Sequence, residues 1–329
     1  MTSERRCPLI VEVARGSSPR RLPVFAAIAL VVPLGAARLA WAENADQEKK
    51  LPPAEEVAGS DLVTSDGLQL SATFYPGTEG RESVPVVLLH MWKGDRKEYA
   101  GLALYLQREK GCAVLVPDLR GHGESTQSPF GGGKLDAAKM GTDQFYLMAY
   151  NDMETLRKFL VDRNDKEELN LKKLCIVGAE MGAAVAAYYA AYDWTTPRRE
   201  ADRAAASQDV KALIMISPDW DFKGLPLNKP LANPLVRSQI SMMIVAGKED
   251  PKSLADARRV YNLITRYHVD PETAELDQRD LFFGEPPTKL EGTKMLGVKG
   301  LNLEPAIARF IELRLVDKPY PWYRRAGKK

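Results

Sequence analysis

The segment best suited to chemistry is IVGAEMGAAVAA, residues 176–187, because it places one ionisable side chain in a tight turn. The apolar residues before Gly178 predict a buried strand, and the small residues after Gly182 predict a helix. Glu180 lies between the two glycines, at the N-terminus of that helix. Unpaired backbone N–H groups and the positive end of the helix dipole favour an anion there. The chemistry therefore depends on which side chains the fold brings to this turn.

The elements that must position Glu180 alternate between strands and helices. Continuous apolar runs predict the strands, which cover two short runs within 61–77 and then 84–91, 112–118, 173–179, 210–217, 240–246 and 289–296. Helical periodicity predicts helices over 96–111, within 144–168, and over 181–193, 252–267 and 303–315. This alternation predicts an α/β fold with a largely parallel sheet.

Four motifs then occur in an order and spacing typical of one family: LLHMWKGD (88–95), PDLRGHGES (117–125), GAEMG (178–182) and VAGKEDP (245–251). On these motifs, residues 55–316 resemble the α/β-hydrolase fold superfamily, in its bacterial esterase and serine-peptidase-like branch. The resemblance implies an eight-stranded, mostly parallel sheet with helices on both faces and its first two strands antiparallel. Segment 219–239 lies where many relatives insert a lid, and it is too short for a large cap domain.

The resemblance also implies where a catalytic triad would lie. The nucleophile position, Ser in the family, is Glu180 here. The acid position matches Asp250, and the His position, after the last predicted strand, matches Lys299. Because Ser and His are both replaced, we predict that Glu180, Asp250 and Lys299 form an ion network, with Lys299 facing Glu180.

The family's oxyanion hole uses backbone N–H groups beside the elbow. The resemblance assigns these donors to Met91, Trp92 and Met181, and the Glu180 carboxylate could fold back into the hole. Three residues are predicted at the pocket edge: His90, Trp220 and Phe222. The two aromatic residues among them either line a ligand pocket or shield the end of the sheet.

None of the three histidines is expected to act as a base. His90 and His122 belong to motifs that the family uses structurally, and His268 follows a helix that ends at the opposite edge of the sheet. Epoxide hydrolases and haloalkane dehalogenases do use a carboxylate at the elbow, but they keep the His. Lys299 would be a poor base, since neighbouring carboxylates would raise its pKa.

The predicted function is therefore a binding or scaffold role for a hydrolase homologue without triad hydrolysis, with an unknown small molecule or protein as its partner. The alternative is an active hydrolase of ester- or amide-type substrates that uses Glu180, Asp250 and Lys299. No cofactor is predicted, and no metal, because the Lys299 ammonium would oppose a cation. The chain carries a net charge of +2, of which residues 1–42 hold +4, so residues 43–329 hold about −2. This near-neutral domain gives no reason to expect a nucleic-acid partner.

Residues 1–42 have the pattern of a signal peptide. The basic start precedes the apolar run LPVFAAIALVVPLGAA, which is shorter than the ~20 residues that cross a bilayer. Ala40 and Ala42, the small residues of an A-x-A cleavage site, predict cleavage after Ala42, no remaining transmembrane segment, and export to the periplasm or the outside of the cell. An uncleaved anchor is the alternative, and both the Sec and the twin-arginine routes stay open.

Three further features are interpreted from composition and order. Residues 43–54 read as a flexible lead-in, and the basic tail 317–329 as solvated. The strand order that the resemblance implies puts another strand between those of Cys112 and Cys175, which separates them by about 10 Å, so both are expected to be free buried thiols. Loop 271–288 either contacts a partner through Leu281-Phe282-Phe283 or packs back on the domain.

Overall fold

Ten strands and eight helices form the part of the chain described by the computed structural model, residues 51–128, 131, 133–195 and 208–325. The predicted signal peptide, its cleavage site and residues 43–50 lie outside these ranges. The strands are β1 (Glu55–Val57), β2 (Ser71–Tyr75), β3 (Pro85–Leu89), β4 (Ala113–Asp118), β5 (Leu174–Ala179), β6 (Val210–Ile216), β7 (Asp221–Phe222), β8 (Leu225–Pro226), β9 (Ser241–Val245) and β10 (Leu281–Gly284). The helices are α1 (Ala100–Lys110), α2 (Thr142–Leu147), α3 (Met153–Asp165), α4 (Met181–Thr195), α5 (Asn228–Leu231), α6 (Pro234–Gln239), α7 (Pro251–Ile264) and α8 (Leu303–Ile311).

Eight of these strands form one sheet in the order β1-β2-β4-β3-β5-β6-β9-β10. β2 runs antiparallel to both β1 and β4, and the other neighbouring pairs are parallel. The predicted eight-stranded, mostly parallel sheet is therefore confirmed. Because parallel strands end at one edge, the loops after β3, β5, β6, β9 and β10 meet there.

Alternate residues of the central strands pack on opposite faces of the sheet. Val87 and Leu89 of β3 belong to a core cluster with α4, whereas Val86 and Leu88 belong to a second cluster with α1 and α8. A strand covered on both faces must be apolar at every position, which explains the continuous run in β3. Segment 219–239 forms only the β7–β8 hairpin and the short helices α5 and α6, so there is no large cap domain.

The end of the sheet corrects one prediction. The last strand is β10, Leu281–Gly284, and the predicted strand 289–296 is instead a loop with one 3-10 turn, Gly292–Met295. Leu281 is buried, Phe282 packs 5.4 Å from the ring of Phe310, and Phe283 packs 4.9 Å from that of Tyr261. Of the two interpretations of loop 271–288, the structure therefore favours packing against the domain.

The C-terminal arm, residues 317–325, corrects a second prediction. Asn170 donates a hydrogen bond to the Tyr320 carbonyl (2.8 Å), and the Trp322 indole donates to the Leu169 carbonyl (3.1 Å). Arg325 is buried and pairs with Asp209 at 2.5 Å. The arm is thus docked on the domain as far as Arg325, because its aromatic and guanidinium groups find buried partners there.

Two further expectations concern the thiols and the helices. Cys112 and Cys175 are free and buried, with β3 lying between their strands, as predicted. Within the described ranges, none of the helices combines the length and the apolar character that a membrane crossing requires.

Candidate functional site

The turn at Glu180 has the geometry of a nucleophile elbow. β5 ends at Ala179 and α4 begins at Met181, so one residue reverses the chain, and Glu180 adopts a left-handed φ of 46°. A Cβ on Gly178 would overlap the backbone of Gly182, and a Cβ on Gly182 would overlap the Leu89 carbonyl. The two glycines are therefore required for strand and helix to approach this closely.

Backbone hydrogen bonds fix the elbow against the sheet. The Glu180 N–H donates to the Ile216 carbonyl at the end of β6 (3.0 Å), and the Glu180 carbonyl accepts from Ala183 N–H (3.0 Å). In the described structure the Met181 N–H donates to no protein acceptor, as expected of a helix start. The elbow thus presents one side chain and one free donor at the carboxyl edge.

The Glu180 carboxyl is half-buried among other charged groups. Its Oε1 lies 3.4 Å from the position that a Cβ on Gly292 would occupy, which places the loop after β10 directly against it. Partial burial and the nearby Asp219 carboxylate raise the pKa of Glu180, while Lys294 and Lys252 act in the opposite direction.

Asp250 lies in the loop after β9 and caps α7. Its Oδ1 accepts hydrogen bonds from the N–H groups of Lys252 and Ser253, both at 3.1 Å. This is a standard N-cap, because the carboxylate satisfies donors that have no partner inside the helix. The neighbouring Glu291 side chain lowers the pKa of Asp250.

Glu291 lies seven residues after β10, and both the Asp250 and the Glu180 carboxyl groups act on it. Its hydrogen bond with Asp250 raises the pKa of Glu291 to about 7 and lowers that of Asp250. The Glu180 carboxylate also raises the pKa of Glu291. Sequence reasoning missed this residue because it placed the last strand eight residues too late.

Lys299 is not brought to this cluster, which corrects the predicted ion network. Its side chain is exposed on a surface groove lined by Tyr105 of α1 and by Gly297, Asn302 and Pro305. It forms no ion pair with Glu180 or Asp250 in the described part of the chain, and the lysines that act on Glu180 are Lys252 and Lys294. Lys252 is itself paired with Asp219 at 2.8 Å.

The residues predicted for the oxyanion hole lie beside the elbow. Met91 and Trp92 follow β3, and the position of a Cβ on Gly292 lies 3.2 Å from the Met91 sulfur. Among the described residues no hydrogen bond to the Glu180 carboxylate contributes to its pKa, so the predicted folding of Glu180 into the hole is not observed. In the described chain the N–H groups of Met91 and Trp92 have no protein acceptor.

His90 is buried and has a structural role. Its Nε2 accepts from Leu119 N–H at 3.1 Å, so its Nδ1 carries the proton and donates to the Met91 carbonyl at 2.8 Å. Burial lowers the pKa of His90 to about 4. Its ring also packs 4.8 Å from that of His122. His268 lies at the other end of the strands and pairs with Asp280.

The aromatic residues predicted at the pocket edge pack against other rings and against the cationic side chains of neighbouring residues. Trp92 lies 6.4 Å from Phe222, and the Lys223 ammonium sits 3.5 Å from the Trp92 ring centre. Trp220 stacks under the guanidinium of Arg259 at 3.8 Å. Within the described residues, no group of three or more His, Cys, Asp or Glu side chains is arranged to hold a metal ion.

Comparison with known proteins supports the family. The family model of the alpha/beta hydrolase fold matches residues 84–241. The uncharacterized protein Rv2307c of Mycobacterium tuberculosis is 30% identical over 176 residues, which are 51% of this chain and 56% of that protein. The chain thus spans just over half the length of the curated relatives it matches.

Solved structures share the fold at low sequence identity. The esterase Pf2001 of Pyrococcus furiosus has a TM-score of 0.51 and 16% identity, over 80% of this chain and 93% of that chain. An esterase of Pyrobaculum calidifontis has a TM-score of 0.53 and 12% identity, over 84% of this chain and 89% of that chain. With its sheet order, its elbow and these matches, the chain has the α/β-hydrolase fold.

Proposed function

We propose that this protein is an exported hydrolase homologue that binds a small molecule or a protein at its elbow and does not hydrolyse esters by a Ser-His-Asp triad. The observation that carries the proposal is an intact elbow backbone that holds Glu180, with the Glu291 carboxyl acting on it. Neither an alkoxide nor an imidazole base is available from these two positions.

The charges at this edge favour certain ligands. Five carboxyl groups surround two ammonium groups there: Glu98, Glu180, Asp219, Asp250 and Glu291 around Lys252 and Lys294. Such a balance disfavours a carboxylate or phosphate ligand, because desolvating another anion here would be costly. A neutral or cationic ligand fits better. Export rests on the signal-peptide pattern of residues 1–42.

A second candidate is a hydrolase that uses carboxyl groups alone. It is favoured by one observation, the pKa of Glu291 of about 7, which lies in the range of an efficient general base. Glu180 would attack the acyl carbon to form a mixed anhydride, the ester C–O bond would break, and the leaving alkoxide would take the proton of Glu291 and depart as the alcohol. Water activated by Glu291 would then hydrolyse that anhydride and return Glu180 as the carboxylate.

Ester turnover and active-site labelling distinguish the two candidates. We expect the full chain to hydrolyse short-chain nitrophenyl esters no faster than its Glu180→Ala variant, and to remain unlabelled by a fluorophosphonate probe. If wild type exceeds the variant by more than about tenfold in kcat/KM, the binding proposal is wrong. Loss of that activity in Glu291→Gln would then support the carboxyl mechanism, whereas labelling would reveal a serine nucleophile elsewhere.

A further inference from the structure

Two lysines from different loops meet at one indole ring beside the elbow. The Lys93 ammonium lies 4.5 Å from the ring centre of Trp92, and the Lys223 ammonium lies 3.5 Å from it. Lys93 belongs to the loop after β3, and Lys223 belongs to the turn of the β7–β8 hairpin. Both lysines are exposed, whereas Trp92 is partly buried. We call these three residues the lysine–indole site.

The backbone that carries these lysines does not explain them. The Gly94 N–H donates to the Met91 carbonyl (3.0 Å), which closes a turn with Lys93 in its third position at a φ of 63°. The hairpin turn likewise holds Lys223 at a φ of 47° and Gly224 at 89°. Such left-handed positions favour Gly, Asn or Asp, because other side chains are strained there. Both ammonium groups are therefore held at a cost in backbone conformation, which is typical of ligand-binding sites.

The two ammonium groups have no carboxylate partner among the described residues. The acids closest to them in sequence are used by the backbone. Asp95 accepts a hydrogen bond from Lys97 N–H at 2.8 Å, and Asp221 accepts one from Gly224 N–H at 2.9 Å. Two like charges at one ring repel each other, and an exposed cation–π contact is weak. An anion bound to both lysines would relieve this repulsion.

Trp92 adds a further donor and connects the lysine–indole site to the elbow. Its indole N–H is buried and has no acceptor among the described residues. A buried donor without an acceptor is costly, which favours a bound group that accepts its hydrogen bond. Met91, the preceding residue, lies against Gly292, and Gly292 lies against the Glu180 carboxyl. A ligand of modest length can therefore contact both the lysine–indole site and the elbow.

We propose that the lysine–indole site binds the phosphoryl group of a small organic ligand, whose uncharged part lies against the elbow. A phosphoryl group carries up to two negative charges, which the two ammonium groups neutralise, and its oxygens accept several hydrogen bonds. Lysine suits this group because its ammonium acts as a point charge towards phosphate. The position of the uncharged part rests on the proposed function, which is binding at the elbow.

The lysine–indole site is separate from the carboxyl groups that disfavour an anion beside Glu180. The cations with the largest influence on the pKa of Glu180 are Lys294 and Lys252, and neither belongs to the lysine–indole site. The charge of the lysine–indole site is therefore left for a ligand. One molecule can place its anionic end there and its neutral end at Glu180.

Isothermal titration calorimetry of the full chain with phenyl phosphate at about pH 8 tests the site. We expect the double variant Lys93→Gln, Lys223→Gln to bind at least about tenfold more weakly than wild type, because two charge-assisted contacts are lost. Lys223→Arg keeps the charge and should retain most of the affinity. Lys158→Gln, which removes an exposed lysine of α3, should bind as wild type does. Equal urea midpoints would show that all variants are folded.

Three companion probes test the chemistry of the ligand. Inorganic phosphate should bind more weakly than phenyl phosphate, since the ring adds contacts towards the elbow, but with the same dependence on the two lysines. Benzoate, which carries a single charge, should also bind more weakly. Vesicles of phosphatidylcholine with phosphatidic acid distinguish the two sources of a phosphoryl group. Co-sedimentation that needs phosphatidic acid and is lost in the double variant indicates a lipid headgroup, and its absence indicates a soluble ligand.

Three results would overturn parts of the proposal. Equal affinity of wild type and the double variant for phenyl phosphate, or no binding at millimolar concentration, would eliminate the site. Benzoate binding as tight as that of phenyl phosphate would eliminate its preference for a phosphoryl group. Equal affinity for phenyl phosphate and inorganic phosphate would eliminate the link to the elbow. None of these results bears on ester turnover, and turnover of nitrophenyl esters would contradict the proposed function without changing the dependence of phosphate binding on the lysines.

Discussion

Residue 180 keeps the backbone of a nucleophile elbow and changes its side chain. The left-handed φ of 46° is costly for any residue other than Gly, by roughly 1 kcal/mol or more, and the fold retains it without a nucleophilic hydroxyl. The glycines on either side hold Glu180 in this strained conformation, because Gly178 and Gly182 let β5, α4 and β3 pack in direct contact. The elbow of this chain is therefore a structural joint as well as a candidate binding site.

Replacing Gly182 should show how tightly this joint is packed. In Gly182→Ala the new methyl group would meet the carbonyls of Leu89 and His90, which are backbone atoms of a central strand and cannot rotate away. We expect the free energy of unfolding to fall by at least about 2 kcal/mol in urea titrations.

Gly101→Ala is the matched control for this substitution. Gly101 lies on α1, and a Cβ there meets nothing within 4 Å. Alanine should stabilise the helix by about 0.5–1 kcal/mol, since it loses less entropy on folding. If both substitutions changed stability equally, close packing at the elbow would be refuted.

At the scale of elements, the sequence predicted the central strands and helices well and the end of the sheet poorly. β3 and β5 are apolar throughout and are followed by clear turn and helix patterns, so periodicity locates them to within two residues. β10 has only four residues and pairs with a single neighbour, β9. A strand this short gives little periodic signal in the sequence. Its LFFG run also follows a loop of mixed polarity, so no turn pattern marks where the strand begins.

The misplaced strand explains the misassigned site residue. With the last strand predicted at 289–296, the His position was sought in the segment after it and matched to Lys299, whereas the segment that follows the observed β10 contains Glu291. Glu180 and Asp250 were found because each lies within a recognisable motif. Glu291 has no local motif, and its role is set by a contact with Asp250, 41 positions earlier in the sequence.

The docked C-terminal arm is a second element that composition could not reveal, and Arg325 offers its test. Asp209 is completely buried and is paired with Arg325, with Lys172 and Arg157 nearby. In Arg325→Ala the carboxylate loses its closest cation, and we expect a loss of about 3 kcal/mol in the free energy of unfolding.

The neighbouring Arg324 provides the control. Its side chain is half exposed and reaches Glu167 only at 3.8 Å. Arg324→Ala should therefore change stability by less than about 0.5 kcal/mol in the same titration. A similarly small effect for Arg325→Ala would mean that the arm is not anchored through its guanidinium.

For the whole molecule, the dependence of stability on pH is set by buried groups whose pKa values are shifted in opposite directions, a histidine downwards and two aspartates upwards. Burial lowers the pKa of His90 to about 4, so the unfolded chain binds the extra proton and stability is lost as the pH falls from about 6.5 to about 4. Burial also raises the pKa of Asp152 and of Asp193 to about 6. For these two groups the folded state holds the proton, and stability is lost as the pH rises between about 4 and about 6. The two effects oppose each other in wild type.

The His90→Gln variant separates these effects. Gln can keep a hydrogen bond to the Leu119 N–H but does not titrate, so only the contribution of the imidazole is removed. We expect the variant to be less stable than wild type at about pH 7, and this difference to shrink by up to about 3 kcal/mol as the pH falls to about 4, because protonation then costs wild type alone. Urea unfolding of both proteins at intervals across that range measures the difference directly. A constant difference would show that His90 keeps an ordinary pKa in the fold, and the buried pair of His90 and His122 would then have to be hydrated or charged.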